Sequence, residues 1–172
     1  MSTALVVIDV QQGMFGGAPP LHRPDALLVT IRVLQERARA AGIPVLHVQH
    51  DSGPGGPLAR GSSGFAIHAE VAPRPGEEVV VKDRCDAFLG TGLDARLHAL
   101  GIGRLVIAGM QTEFCVDTTT RAAFAHGFQV VLAADAHSTF DSSVLKAADI
   151  VAHHNQVLRG FASVTPAADI RF

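Results

Sequence analysis

The chain has no long apolar run, no excess of positive charge, and very little cysteine or lysine. Each shortage excludes something. A membrane-spanning helix needs about 18 consecutive apolar residues, and no stretch of the 172 residues approaches that. A signal peptide needs a basic leader and a longer apolar core. Here Ala4-Leu5-Val6-Val7-Ile8 begins almost at once, and Asp9 ends it. A formal net charge of −2 offers no basic field to nucleic acid or to an anionic membrane. The only cysteines, Cys85 and Cys115, lie far apart. They exclude a disulfide framework and fit a reducing compartment, so the expected location is the cytoplasm. Lysine is scarcest among the basic residues: of fourteen, only Lys82 and Lys146 are lysines. In a chain so biased to arginine, a lysine marks a place where a compact point charge serves and a planar guanidinium does not.

What is present is globular. Hydrophobic residues make up 48% and charged residues 17%, and neither a repeat nor a linker divides the chain, so 1–172 reads as one domain. Short β-branched apolar runs at 4–10, 44–49, 78–82, 104–109, 129–133 and 161–164 are continuous rather than alternating, as in strands covered on both faces. Helical periodicity separates them at 24–41, 91–100, 114–126 and 142–158. In the first of these, Leu27, Leu28, Ile31, Leu34 and Ala38 form one stripe, and Gly42 stands where a helix-terminating glycine belongs. Strand–helix alternation predicts a three-layer α/β/α, Rossmann-like domain with a six-stranded parallel sheet. The irregular stretch is 51–76, with six glycines and four prolines. It reads either as a lid or binding loop, or as a disordered surface insertion.

Ligands of open parallel sheets bind beyond the carboxyl ends of the strands. Asp9 ends the first strand run, Lys82 ends the third, and Cys115 follows the fourth, so three reactive groups converge on one edge. With Thr112 as N-cap, Cys115 falls in the first helical turn, where amide N–H groups, the helix dipole and a nearby ammonium lower a thiol's pKa. A thiolate there attacks acyl carbons, and free N–H groups hold the oxyanion. Taken singly, each residue has a plain reading: a buried small hydrophobe for Cys115, a paired or capping carboxylate for Asp9, a solvated strand end for Lys82. Asp9 is a candidate general base. Cys85, flanked by Asp83, Arg84 and Asp86, has no helix start behind it and reads as structural. Lys146 reads as solvated on a helix. The chain has no G-x-S-x-G elbow, no HExxH and no Cys/His metal spacing, and His47 and His50 point to opposite faces of a strand. No metal and no cofactor is expected.

At these residues the chain resembles the isochorismatase-like cysteine hydrolases. The resemblance runs over nearly the whole length. It comprises 4–11 (ALVVIDVQ), Lys82 with Ala87-Phe88 and Thr91-Gly92-Leu93, 109–116 (GMQTEFCV) with Thr119 and Ala122, and Asp135-Ala136. It implies an Asp9–Lys82–Cys115 triad, a non-proline cis peptide between Met110 and Gln111, and an oxyanion hole of the Gln111 and Cys115 N–H groups. It also implies the strand order 3-2-1-4-5-6, which leaves Lys82 two strands from Asp9, roughly 9–10 Å at sheet spacing. The Asp-x-His metal motif of nicotinamidases is absent from His47-Val48-Gln49-His50-Asp51-Ser52. Isochorismatases proper usually lack the cysteine, so its presence points to C–N cleavage of a small amide through a Cys115 thioester. A vinyl-ether hydrolase using Asp9 alone is the alternative, and a non-catalytic module for a small molecule or partner is a second. Residues flanking the motifs, Gln11, Phe15, Phe65, Phe88, Glu113 and His137, are the expected substrate contacts. The expected partners are a small-molecule substrate and further copies of the chain, as a homodimer or homotetramer.

Overall fold

The computed structural model describes residues 2–172. Six strands form one parallel sheet: β1 (Ser2–Ile8), β2 (Val45–His50), β3 (Glu78–Lys82), β4 (Ile102–Met110), β5 (Gln129–Ser138) and β6 (Ser163–Thr165). Their spatial order is 3-2-1-4-5-6, the order expected. Four α-helices accompany them: α1 (Pro24–Ala40), α2 (Leu93–Ala99), α3 (Asp117–Ala125) and α4 (Ala147–Val157). No helix of the described residues is long and apolar enough to cross a membrane.

The continuous apolar strands are explained by two cores, one on each face of the sheet. On β1, Ala4, Val6 and Ile8 pack into one with Leu93, Leu97, Val116 and Ala123 from the α2 and α3 side. Leu5 and Val7 alternate into the other with Leu27, Ile31, Leu34 and Ala38 of α1. A strand buried on both faces cannot show the polar alternation of a half-exposed one. Helix α1 starts with Pro24, carries Asp25 in its first turn and Arg37 and Arg39 in its last, and so complements its own dipole.

The element ends depart from the expectation for local reasons. β1 stops at Ile8, and Asp9 leaves it in a left-handed conformation, φ 52°. β5 runs on to Ser138 rather than stopping at Ala133. Its register against β4 jumps from Ile107↔Leu132 to Gly109↔His137, so an irregular stretch carries the strand past Asp135, the polar residue that broke the apolar run. α4 starts at Ala147 rather than at 142. Ser142 instead takes the N–H groups of Val144 and Leu145, and Asp141 takes that of Ala147, the local bonding by which Ser and Asp compete with a helix. Segment 51–76 is ordered. It makes two 3-10 turns, Ser63–Phe65 and Ala69–Val71. It buries Leu58 and Val71 and pairs with the exit of β1 through Gln11↔Ile67.

One close approach shapes the sheet edge that carries the reactive residues. Gly109 has φ 129°, and a Cβ there would lie 2.1 Å from the Ile8 carbonyl oxygen. Only glycine lets β4 run this near to β1 just before the turn that holds Cys115.

Candidate active site

Asp9, Lys82 and Cys115 meet at the carboxyl edge of the sheet. The Lys82 Nζ donates to Asp9 Oδ2 at 2.6 Å and to Cys115 Sγ at 3.1 Å. The two-strand separation between β3 and β1 is crossed by the length of the lysine stem, which passes over its register partner His50 on β2. All three residues are almost closed to solvent, at 2%, 3% and 8% exposed. Asp9 Oδ1 is also buried and has no hydrogen-bond partner among the described residues.

Cys115 does not sit on a helix capped by Thr112. Gln111 is the cap, in extended conformation, and Thr112–Val116 form a single π-helical turn ahead of α3. The turn is closed by the Val116 N–H on the Gln111 carbonyl at 3.1 Å. Such turns widen a helix by one residue and recur at functional sites. Thr112 has a different task. Asn155 Nδ2 donates to the Ala134 carbonyl, so its Oδ1 accepts from His137 Nε2. His137 Nδ1 is then the acceptor for the Thr112 hydroxyl at 2.9 Å. α4 and β5 thereby hold the first residue of the nucleophile turn. The peptide between Met110 and Gln111 is cis.

The electrostatics are those of a buried, coupled trio. Burial pushes the Asp9 carboxyl above its usual range, and Lys82 only partly draws it back. Burial alone would lower Lys82, but the Asp9 and Cys115 charges outweigh it and hold the ammonium firmly charged. The Cys115 thiol is pushed up, first by burial and then by the Asp9 carboxylate, against the pull of Lys82. This reverses the expectation of a depressed thiol. The helix-start effect is outweighed because the sulfur is desolvated and faces an anion. Burial thus raises both the thiol and the carboxyl, while the ammonium between them is held charged.

The expected substrate contacts divide. Gln11 is wholly buried with its amide fully engaged: Nε2 donates to the His50 and Phe65 carbonyls, and Oε1 accepts from the His50 N–H. Its amide braces the exits of β1 and β2. His137 has both ring nitrogens engaged, as described, and also positions. Phe88 is in the core, stacked between His126 and Phe128, because the residues after β3 turn down into the α2 side. Phe15 packs at a tilt against the His68 ring and lines a separate cleft with Pro24, Asp25 and Leu28. Phe65 stays half-buried beside Arg60. Glu113 takes the Thr139 hydroxyl on Oε1, while Oε2 is buried without a partner among the described residues. Cys85 is free and half-buried. Lys146 is exposed as expected, but lies just before α4 rather than within it, paired with Asp141 at 2.8 Å.

One residue of the site escaped the sequence. His50 Nδ1 lies 3.3 Å from Lys82 Nζ. The signal lies in its position, since His50 ends β2 at the same sheet edge. His47 does lie on the opposite face, against Gln35 and Glu77. Asp9, His50 and Cys115 each place one donor atom within 4.8 Å of the others. The Lys82 ammonium lies within 3.3 Å of an atom of each of the three.

A family model described as the isochorismatase domain matches residues 3–168. The chain belongs to the isochorismatase family. This is a hydrolase family, and this member is 42% identical over 138 residues to a streptothricin hydrolase of Streptomyces noursei, matching 80% of this chain and 50% of that one. The chain thus spans about half the length of the streptothricin hydrolases it matches. A ureidoacrylate amidohydrolase of Stutzerimonas stutzeri is 32% identical, over 78% of this chain and 68% of that one. Among solved structures, an isochorismatase of Pseudomonas putida superposes with a TM-score of 0.92 at 29% identity, covering 98% and 90%. The N-carbamoylsarcosine amidase of Thermoplasma acidophilum superposes at 0.82 and 25% identity over the full length of both. This isochorismatase-family domain therefore has relatives named for amide-type hydrolysis.

Proposed function

We propose that the protein hydrolyses a C–N bond of a small amide-type substrate through a thioester on Cys115. The observation that carries the reading is the buried trio: a thiol and a carboxylate held by one ammonium, with Asp9 Oδ1 left unpartnered as a proton acceptor. Asp9 takes the Sγ proton as sulfur attacks the carbonyl carbon, and Lys82 stabilises the thiolate so formed. The developing alkoxide is held by the N–H groups of Gln111 and Cys115. Collapse breaks the C–N bond, and the leaving nitrogen takes the proton from Asp9. Water then attacks the thioester, returning a proton through Asp9 to sulfur, and the acid departs.

A thiol pushed upward by burial suits this scheme, in which the proton moves as the electrophile arrives. Phe65 and Glu113 are the side chains we assign to the substrate. The test is turnover of Cys115→Ala and Asp9→Asn on the best member of a panel of primary amides, ureides and lactams. Both variants are expected to lose at least a thousandfold, about 4 kcal/mol of barrier. Vinyl-ether hydrolysis needs only an acid, so an active Cys115→Ala with an inactive Asp9→Asn would favour it. A wild type that binds panel members without turning any over would favour the binding module.

A further inference from the structure

An ammonium group has three N–H donors and no acceptor. In this fold the three meet three acceptors: Asp9 Oδ2 at 2.6 Å, Cys115 Sγ at 3.1 Å and His50 Nδ1 at 3.3 Å. Two of these belong to the proposed chemistry, and the third does not. His50 can accept from lysinium only through an unprotonated Nδ1, so its proton is on Nε2. The environment favours that neutral ring, since burial and then the Lys82 charge lower its pKa. The backbone that carries the ring is fixed from behind. The Gln11 amide brackets the His50 backbone, accepting from its N–H at 2.8 Å and donating to its carbonyl at 3.0 Å. Gln11 follows Asp9 by two residues, so the same chain exit that places the carboxylate also places His50.

We propose that His50, clamped through its backbone by Gln11, is a positioning residue that holds the Lys82 ammonium between Asp9 and Cys115. Lys82 comes from β3, two strands from Asp9, on a stem with free rotors. Two acceptors leave the ammonium able to pivot about the line between them, and a third fixes the point. The stem is long because the strand order demands it, and the residue of the intervening strand at that height is His50. Protonation of His50 would remove the acceptor and set a second positive charge beside the first, so the device releases Lys82 in acid. The charged groups around the ring are Lys82 from β3, Asp9 after β1, Asp51 and Asp83 from the neighbouring strand exits, and Cys115 from the π-helical turn.

The inference rests on the reading of Cys115 as nucleophile, and the test separates the two. The probe is iodoacetamide, and the readout is the rate of Cys115 labelling by peptide mass from pH 5 to 9. Labelling proceeds through the microstate in which the Sγ proton has passed to Asp9, so its rate reads the placement of Lys82. His50→Leu, which has no acceptor, is expected to label about tenfold slower or more at pH 7.5, the loss of one hydrogen bond to a charged group. His50→Asn, whose Oδ1 can stand near the Nδ1 position and does not titrate, is expected to stay within about threefold, less than half of a tenfold barrier change. It is also expected to lose an acid limb that the wild type shows. Asp9, Lys82 and Cys115 titrate in both proteins, so the missing limb belongs to His50. Gln11→Ala, which frees the His50 backbone, is expected to fall between the two. His50→Leu and His50→Asn labelling like wild type, with unchanged pH profiles, would overturn the positioning role alone. A wild type whose Cys115 resists iodoacetamide at every pH would overturn the nucleophile reading and this inference with it. Should His50→Leu not fold, His50→Asn still decides by its acid limb.

Discussion

At Lys82 the difference between lysine and arginine becomes a matter of geometry. A compact ammonium meets acceptors on three sides within 3.3 Å. A planar guanidinium presents a fork of five donors and needs a wider space, and the pocket is closed. Lys82→Arg is therefore expected to be nearly as inactive as Lys82→Ala, by a hundredfold or more, about 2.7 kcal/mol of barrier, while still melting as a cooperatively folded protein. Turnover and a melting curve on both variants check it, and substantial activity in the arginine variant would show that a diffuse positive field is enough. The rarity of lysine and the strand-end positions made Asp9, Lys82 and Cys115 legible before any coordinates. The thiol's upward shift was not legible, because desolvation of Cys115 and its exposure to Asp9 depend on tertiary closure that no local pattern encodes. Gln11 and His137 show a related limit. Proximity to a motif in sequence does not say whether a polar side chain faces the ligand or is already engaged by backbone and neighbours.

At the scale of elements, the close approach of the neighbouring strands β1 and β4 at Gly109 is a tight constraint. The added methyl of Gly109→Ala would meet the Ile8 carbonyl at 2.1 Å, a backbone atom that cannot swing aside, at a φ an L side chain resists. The variant is expected to lose about 2–3 kcal/mol or more, some 5–10 °C in melting temperature for a chain of this size. Calorimetry checks it, and an unchanged melt would contradict the close approach. Strand and helix identity followed from periodicity alone, and the continuous apolar runs gave the buried sheet. Element ends did not follow, because Ser142, Asp141 and the register break in β5 act through bonds to particular backbone atoms. The π-helical turn at Thr112–Val116 has no periodic signature either: Thr112 has the chemistry of a cap, yet its hydroxyl goes to His137.

For the molecule as a whole, acid stability follows from three histidines. Burial lowers His47, His50 and His137, with Lys82 adding to the effect at His50. An unfolded chain protonates all three below about pH 6.5, while the native fold keeps them neutral to lower pH. The unfolded state then binds more protons, so stability falls as the pH drops from about 7 toward 5. Glu77 extends the loss. Burial raises its carboxyl, but Arg39 and the Arg74 N–H outweigh this and bring it from 4.5 to about 2, and its contribution disappears across that window. Asp9, raised in the fold, opposes these groups singly. A urea midpoint lower at pH 5.5 than at pH 7.5 is expected, and an equal or higher one would contradict the assignment. Exposed Phe114, Phe124, Val144 and Leu145 accompany the expectation of a homo-oligomer, which light scattering at micromolar concentration checks; a monomer would refute it without touching the chemistry. The central claim, acyl transfer through Cys115, is tested most directly by the mass of the intact chain quenched in acid during turnover of a panel substrate. A species heavier by the acyl group, mapped to Cys115 and absent from Cys115→Ala, is the predicted result. Turnover at full rate with no adduct in wild type, and with Cys115→Ala within about tenfold of it, a barrier change of only ~1.4 kcal/mol, would contradict it.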